Sequence, residues 1–93
     1  MTYKVVKDPE EKLDYTFDYT RVMDGDTIQS SVWTQTLGNN DIVIESQSTV
    51  GNEAIIWLSG GRVGAFYKFT NHVVMTPSTR EFDRTLTVRI AEK

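Results

Sequence analysis

The chain of 93 residues contains no cysteine and a single histidine, and these absences remove several kinds of site. Without cysteine there is no disulfide framework, no thiolate nucleophile and no cysteine-based zinc site. One histidine excludes a site that needs two imidazoles. No apolar run approaches the roughly 20 residues of a membrane helix, and no hydrophobic signal region follows Met1, so we expect no membrane association. The net charge of -3 argues against nucleic acid as a partner.

Leucine and alanine are also scarce, and the residues that replace them indicate the fold class. There are 4 Leu and 3 Ala, against 10 Val, 6 Ile and 12 Thr. β-branched side chains pack well on a pleated sheet and lose rotamer freedom in a helix. The composition therefore predicts an all-β chain, and the length predicts a single domain over residues 1–93.

Period-two alternation of apolar and polar residues predicts seven strands. We place them at about 3–6, 13–19, 27–35, 41–46, 54–58, 65–75 and 85–90. Seven short strands in this length favour an immunoglobulin-like β-sandwich of antiparallel strands, with a small barrel as the main alternative. The expected core is Leu13, Tyr15, Phe17, Ile28, Trp33, Ile42, Ile44, Ile56, Leu58, Tyr67, Phe69, Leu86, Val88 and Ile90.

Three positions carry a more specific expectation. Ile28 and Trp33 would face opposite sides of a regular strand, although both are typical core residues. Either a bulge at Ser30-Ser31 turns both inward, or Trp33 covers an edge from outside. The pair Asp24-Gly25 forms either a tight hairpin or a corner between two sheets. Tyr67 follows a glycine-rich segment, which predicts a tyrosine corner whose hydroxyl bonds to nearby backbone.

The polar residues do not assemble into a catalytic or metal site. Asp24 and Asp26 resemble part of a calcium loop, but its other ligands are missing, so we interpret them as turn-forming. Asp14 and Asp18 lie about 13 Å apart along one strand, too far for a glycosidase pair. His72 falls on a polar face as an ordinary surface residue. We therefore expect no enzyme, no metal and no cofactor.

Four further residues do not fit the alternation of their strands. Asn71 has the parity of an apolar face, where we expect its amide to hold a neighbouring loop or backbone group. Trp57, Phe66 and Phe82 are not obviously inward, so they are weak candidates for an interface. The alternative is that their strand parity is misjudged and that they belong to the core.

Several stretches resemble a known family: DPEEKLDYTFDY at 8–19, GDTIQSSVWT at 25–34, WLSGG at 57–61, YKFTN at 67–71 and DRTLTVRI at 83–90. From Lys7 to Lys93 the run resembles small tailed-bacteriophage virion proteins of the fiber–tail adaptor type. The motifs are strand and turn residues and contain no catalytic signature.

The resemblance implies a non-enzymatic structural protein of a phage or prophage, an adaptor in the tail or in the head–tail or fiber attachment region. Its partners would be other tail, neck or fiber proteins. It would occupy the virion, and the host cytoplasm during assembly. A ring in the virion and a monomer in isolation are the expected states. The alternative is an immunoglobulin-like adhesion module that recognises a carbohydrate or receptor, which Trp57, Phe66 and Phe82 on one exposed face would favour.

Overall fold

Seven strands joined by short turns account for most of residues 2–92, which this computed structural model describes. A single 3₁₀ turn, Thr20–Val22, is the one helical element among these residues. The all-β expectation is confirmed, while Met1 and Lys93 of the expected domain lie outside the described residues. The strands are β1 (Thr2–Lys7), β2 (Leu13–Asp18), β3 (Thr27–Leu37), β4 (Ile42–Val50), β5 (Glu53–Gly60), β6 (Phe66–Thr76) and β7 (Glu81–Ile90).

The strands form two sheets, ordered β1-β7-β6-β3 and β2-β5-β4. The neighbours β3-β6-β7 and β2-β5-β4 are compatible with the two sheets of an immunoglobulin-like sandwich. The expectation of antiparallel strands throughout is wrong at one pair, because β1 runs parallel to β7. β2 crosses to the opposite sheet and so cannot pair with β1 in a hairpin, which leaves the edge of β7 as the partner of β1.

The inner faces of both sheets supply the core. In β6 every second side chain is buried from Tyr67 to Met75, as the period of a strand requires. The expected core residues are buried or half-buried, and the half-buried ones are Leu13, Tyr15, Ile28 and Ile44. All four lie on edge strands, where a neighbour is missing on one side.

A bulge in β3 turns both Ile28 and Trp33 toward the core. Ile28 pairs with Met75 and Ser30 with Val74, so Gln29 is the extra residue. The bulge is confirmed, one residue earlier than expected. Trp33 is 2% exposed, which excludes the alternative that it covers an edge from outside.

The segment around Asp24 is a corner between the sheets and not a tight hairpin. β2 belongs to the three-stranded sheet and β3 to the four-stranded sheet, so the chain must cross from one layer to the other here. Asp24 and Gly25 both have positive φ, 42° and 83°, which aspartate and glycine tolerate better than most residues.

Tyr67 forms the expected corner at the start of β6. Its hydroxyl accepts a hydrogen bond from the backbone N–H of Arg62 at 3.0 Å and donates one to the Asp41 carboxylate. Burial, followed by the hydrogen bond to Asp41, raises the pKa of Tyr67. The ring lies so close to Gly38 that an added Cβ there would come within 2.5 Å of Tyr67 Cδ1.

Replacing Tyr67 by phenylalanine should lower the free energy of unfolding by about 1–3 kcal/mol, because the hydroxyl makes two hydrogen bonds, each with a net value of roughly 0.5–1.5 kcal/mol. Tyr15 provides the matched control, because its hydroxyl is also buried but has no hydrogen-bond partner among residues 2–92. Urea unfolding should therefore show a loss for Tyr67→Phe and no loss for Tyr15→Phe. Equal effects of the two substitutions would contradict the assignment of the corner.

Candidate interaction surfaces

One end of the sandwich, here called the Asp26 end, contains the loops 19–26, 51–52 and 77–80. The Asp26 side chain is only 3% exposed and accepts hydrogen bonds from Arg80 Nη2 at 2.8 Å and from the Ser78 N–H at 3.2 Å. Arg80 also donates to the carbonyls of Val22 and Met23, both at 3.1 Å. Asp26 is therefore more than the turn-forming residue expected, because it joins the β6–β7 loop to the β2–β3 corner.

The hydrogen bonds from Ser78 and then from Arg80 hold the pKa of Asp26 below its usual range. Asp26→Asn keeps the size of the side chain but removes the charge that Arg80 faces, so we expect the Tm at neutral pH to fall by several degrees. The difference in Tm between the wild type and Asp26→Asn should shrink as the pH falls through the lowered pKa of Asp26, because protonation of Asp26 ends the ion pair with Arg80. Asp24→Asn, in the same corner, should leave the Tm unchanged, and a Tm for Asp26→Asn equal to that of the wild type would contradict this role.

The opposite end, here called the Tyr67 end, contains the loops 8–12, 38–41 and 61–65. Lys7 is fully buried there, and its ammonium donates to the carbonyls of Asp8 and Gly60, each at 2.8 Å. The N–H of Gly61 donates to the Asp41 carbonyl at 2.8 Å, which fixes a second pair of loops. The role of Lys7 was not predicted from the sequence. Lys7 lies two residues after Val5 and therefore faces the same side of the strand, and Val5 packs against the core.

A buried amide joins the two sheets between these ends. The Tyr19 hydroxyl, directly after β2, donates to Asn71 Oδ1 of β6 at 2.7 Å, and the Asn71 Nδ2 donates to Ser31 Oγ at 2.8 Å. The expectation that Asn71 holds a neighbouring group is confirmed. Burial raises the pKa of Tyr19 to about 12.

The three aromatic candidates for an interface lie on three different parts of the molecule. Trp57 faces outward on the three-stranded sheet, and Phe66 is 53% exposed on the outer face of the four-stranded sheet. Phe82 is half-buried and packs against the core. The structure does not bring them together into the platform on which the carbohydrate-binding alternative depends. Contact of Trp57 and Phe66 with a partner stays a prediction.

The outer face of the four-stranded sheet has a groove of about 490 Å³, here called the basic groove. The strand register places Thr87 between Lys4 and Lys68. Because the side chain of Thr87 is shorter than those of its two neighbours, the surface is concave at this point. The next row places Arg89 between Val6 and Phe66. Three cations, Lys4, Lys68 and Arg89, thus lie next to the exposed side chains of Val6 and Phe66.

The outer face of the three-stranded sheet, here called the acidic face, has the opposite charge. Register places Asp14 beside Trp57, and Asp18 beside Glu53, with Ile55 between the two rows. Glu45 lies on the same face, where it accepts a hydrogen bond from the Ser59 hydroxyl at 2.5 Å. None of the outward residues that register assigns to β2, β4 and β5 is basic.

His72 is not an isolated surface residue, because it lies between two carboxylates. Its Nδ1 is 2.5 Å from Asp83 Oδ1 and its Nε2 is 2.7 Å from Glu81 Oε1. Two acceptors facing both ring nitrogens favour the doubly protonated ring. The hydrogen bonds to Asp83 and then to Glu81 raise the pKa of His72.

As the only histidine, His72 gives one set of imidazole signals in a proton NMR titration. We expect a pKa above the ordinary value of about 6.5, and a return toward that value in Glu81→Gln/Asp83→Asn. Because the pKa of His72 is raised in the folded state, its contacts with Glu81 and Asp83 stabilise the fold. This stabilisation is fully present below the pKa of the unfolded state and is lost as the pH rises through the pKa of the folded state. A titration at or below the ordinary value would contradict the cluster.

Among residues 2–92, no three histidine, cysteine, aspartate or glutamate side chains are grouped so that they could hold a metal ion. Within that part of the chain, no helix is long and apolar enough to cross a membrane.

Comparison with known proteins identifies the family. A family model described as podophage GP4 fiber-tail adaptor protein gp77 matches residues 7–89. A comparison with individually curated proteins gives no match. The matched segment contains all of β2 to β6, both loop ends, and β7 except its last residue. Since the match covers nearly the whole chain and agrees with the resemblance seen in the sequence, this chain belongs to the podophage fiber-tail adaptor family.

Proposed function

We propose that this chain is a non-enzymatic structural protein of the virion that joins a fiber to the tail. The family match over residues 7–89 is the observation that carries the proposal. The positions of the polar residues support it, because the most deeply buried charged groups hold the loops together. Asp26 and Lys7 are each bonded to another loop or to the end of another strand.

The two loop ends are the surfaces that we assign to the two partners. Strands of ten or eleven residues span roughly 35 Å, which identifies the 42 Å dimension of the molecule as the strand direction. The Asp26 end and the Tyr67 end therefore lie at opposite extremes of the long axis. Loops that are already held by hydrogen bonds lose little conformational freedom on binding, which favours affinity.

In this role the protein belongs to the virion tail of a phage or prophage, and to the host cytoplasm while the virion is assembled. Its partners are other tail, neck or fiber proteins, with no part for nucleic acid or membrane. The ring in the virion stays a prediction.

Deletion of the gene should yield particles whose tails lack fibers, as seen by electron microscopy, with loss of infectivity. The wild-type gene supplied in trans should restore both. Intact, infectious particles with normal fibers would contradict the adaptor function and would favour the adhesion module.

Two variants supplied to the deleted phage distinguish the partners of the two ends. Val63→Glu alters an exposed residue at the Tyr67 end, and Arg21→Glu alters one at the Asp26 end. The variant at the tail-binding end should be absent from purified particles, while the variant at the fiber-binding end should remain on particles that lack fibers. Normal fibers with both variants would contradict the assignment of the ends.

A further inference from the structure

The basic groove and the acidic face lie on opposite outer faces of the sandwich, and each has an aromatic residue among its charges. We propose that they bind each other in neighbouring copies of this chain, so that the basic groove of one copy packs on the acidic face of the next. This contact goes beyond the joining of fiber to tail and does not depend on it. It replaces the expectation that the isolated protein is a monomer.

Charge sets the orientation of the contact. Lys4, Lys68 and Arg89 surround the groove, and the carboxylates on the other half of that sheet face, Glu81 and Asp83, are turned to His72. The acidic face holds four carboxylates and, among the outward residues of its strands, no cation. Either face set against its own copy would bring like charges together, which is costly. The favoured contact is therefore head-to-tail, with a different face from each copy.

The apolar residues supply the area between the charges. Phe66 is 53% exposed and Val6 46%, and they border a groove of about 490 Å³ with ample room for a large side chain. On the acidic face, Trp57 and Ile55 occupy the central strand, β5. Aromatic side chains are enriched at the centre of protein interfaces, and the rim around them is polar.

The outer face of either sheet is large enough for a contact of this kind. A specific interface buries roughly 800 Å² on each partner. The molecule measures 42 × 20 × 19 Å, so a contact of that size needs most of one broad side. Packing through the broad sides leaves both loop ends uncovered for fiber and tail.

Analytical ultracentrifugation of the purified chain tests the proposal. We expect the average mass to rise with concentration in about 0.1 M salt and to fall toward the monomer in about 1 M salt, because salt screens exposed charges. Lys68→Glu on the basic groove and Asp14→Lys on the acidic face should each abolish self-association. Arg21→Glu and Glu10→Lys make the same charge changes on the loop ends and should leave self-association unchanged, and circular dichroism should show all four variants folded.

Mixing the two face variants gives the decisive result. Lys68→Glu retains an intact acidic face and Asp14→Lys retains an intact basic groove, so the mixture should form a complex of one copy of each and nothing larger. A wild type that remains monomeric in about 0.1 M salt at high concentration would overturn the proposal. So would a mixture that remains monomeric while the wild type associates, or self-association by either variant alone. The proposal would also be overturned if the wild type did not self-associate but bound another virion protein through Lys68. That protein would then be the partner of the basic groove.

Discussion

Burial of Trp33 is the interaction that links the two sheets at the β3 side of the sandwich. Its ring lies 5.0 Å from that of Phe17 in the opposite sheet. The bulge at Gln29 turns it inward, since one extra residue reverses the facing of all that follow. Gln47 of β4 bonds both backbone groups of Trp33, at 3.0 and 3.1 Å, so the edge of β3 is satisfied at this point.

Buried polar groups fix the positions of the other segments of the sandwich. Asn71 bonds the tyrosine that follows β2, while Asp26 and Lys7 hold one loop end each. A buried charge is costly unless it is fully bonded, so each of these groups admits few arrangements of the segments around it. A connector benefits from this, because its loop ends are already ordered before a partner arrives.

The strand pattern leaves the outer faces free to differ. Every second residue points away from the core and is under no packing constraint, which lets charge collect on one face without affecting the fold. Trp57 lies half-buried beside carboxylates, and Phe66 lies exposed beside cations. The inner faces thus account for stability and leave the charge of each outer face free to vary.

The fold class, all seven strands, the tyrosine corner and most of the core can be predicted from the sequence, because the alternation of apolar and polar residues is a local pattern with a period of two. Three further features depend on how the strands are arranged in space: β1 pairs in parallel with β7, Lys7 is buried, and Asp26 contacts Arg80. Asp26 and Arg80 are 54 residues apart in the chain. Such contacts depend on which sheet each strand joins and in which register, and no local pattern of side chains contains that information.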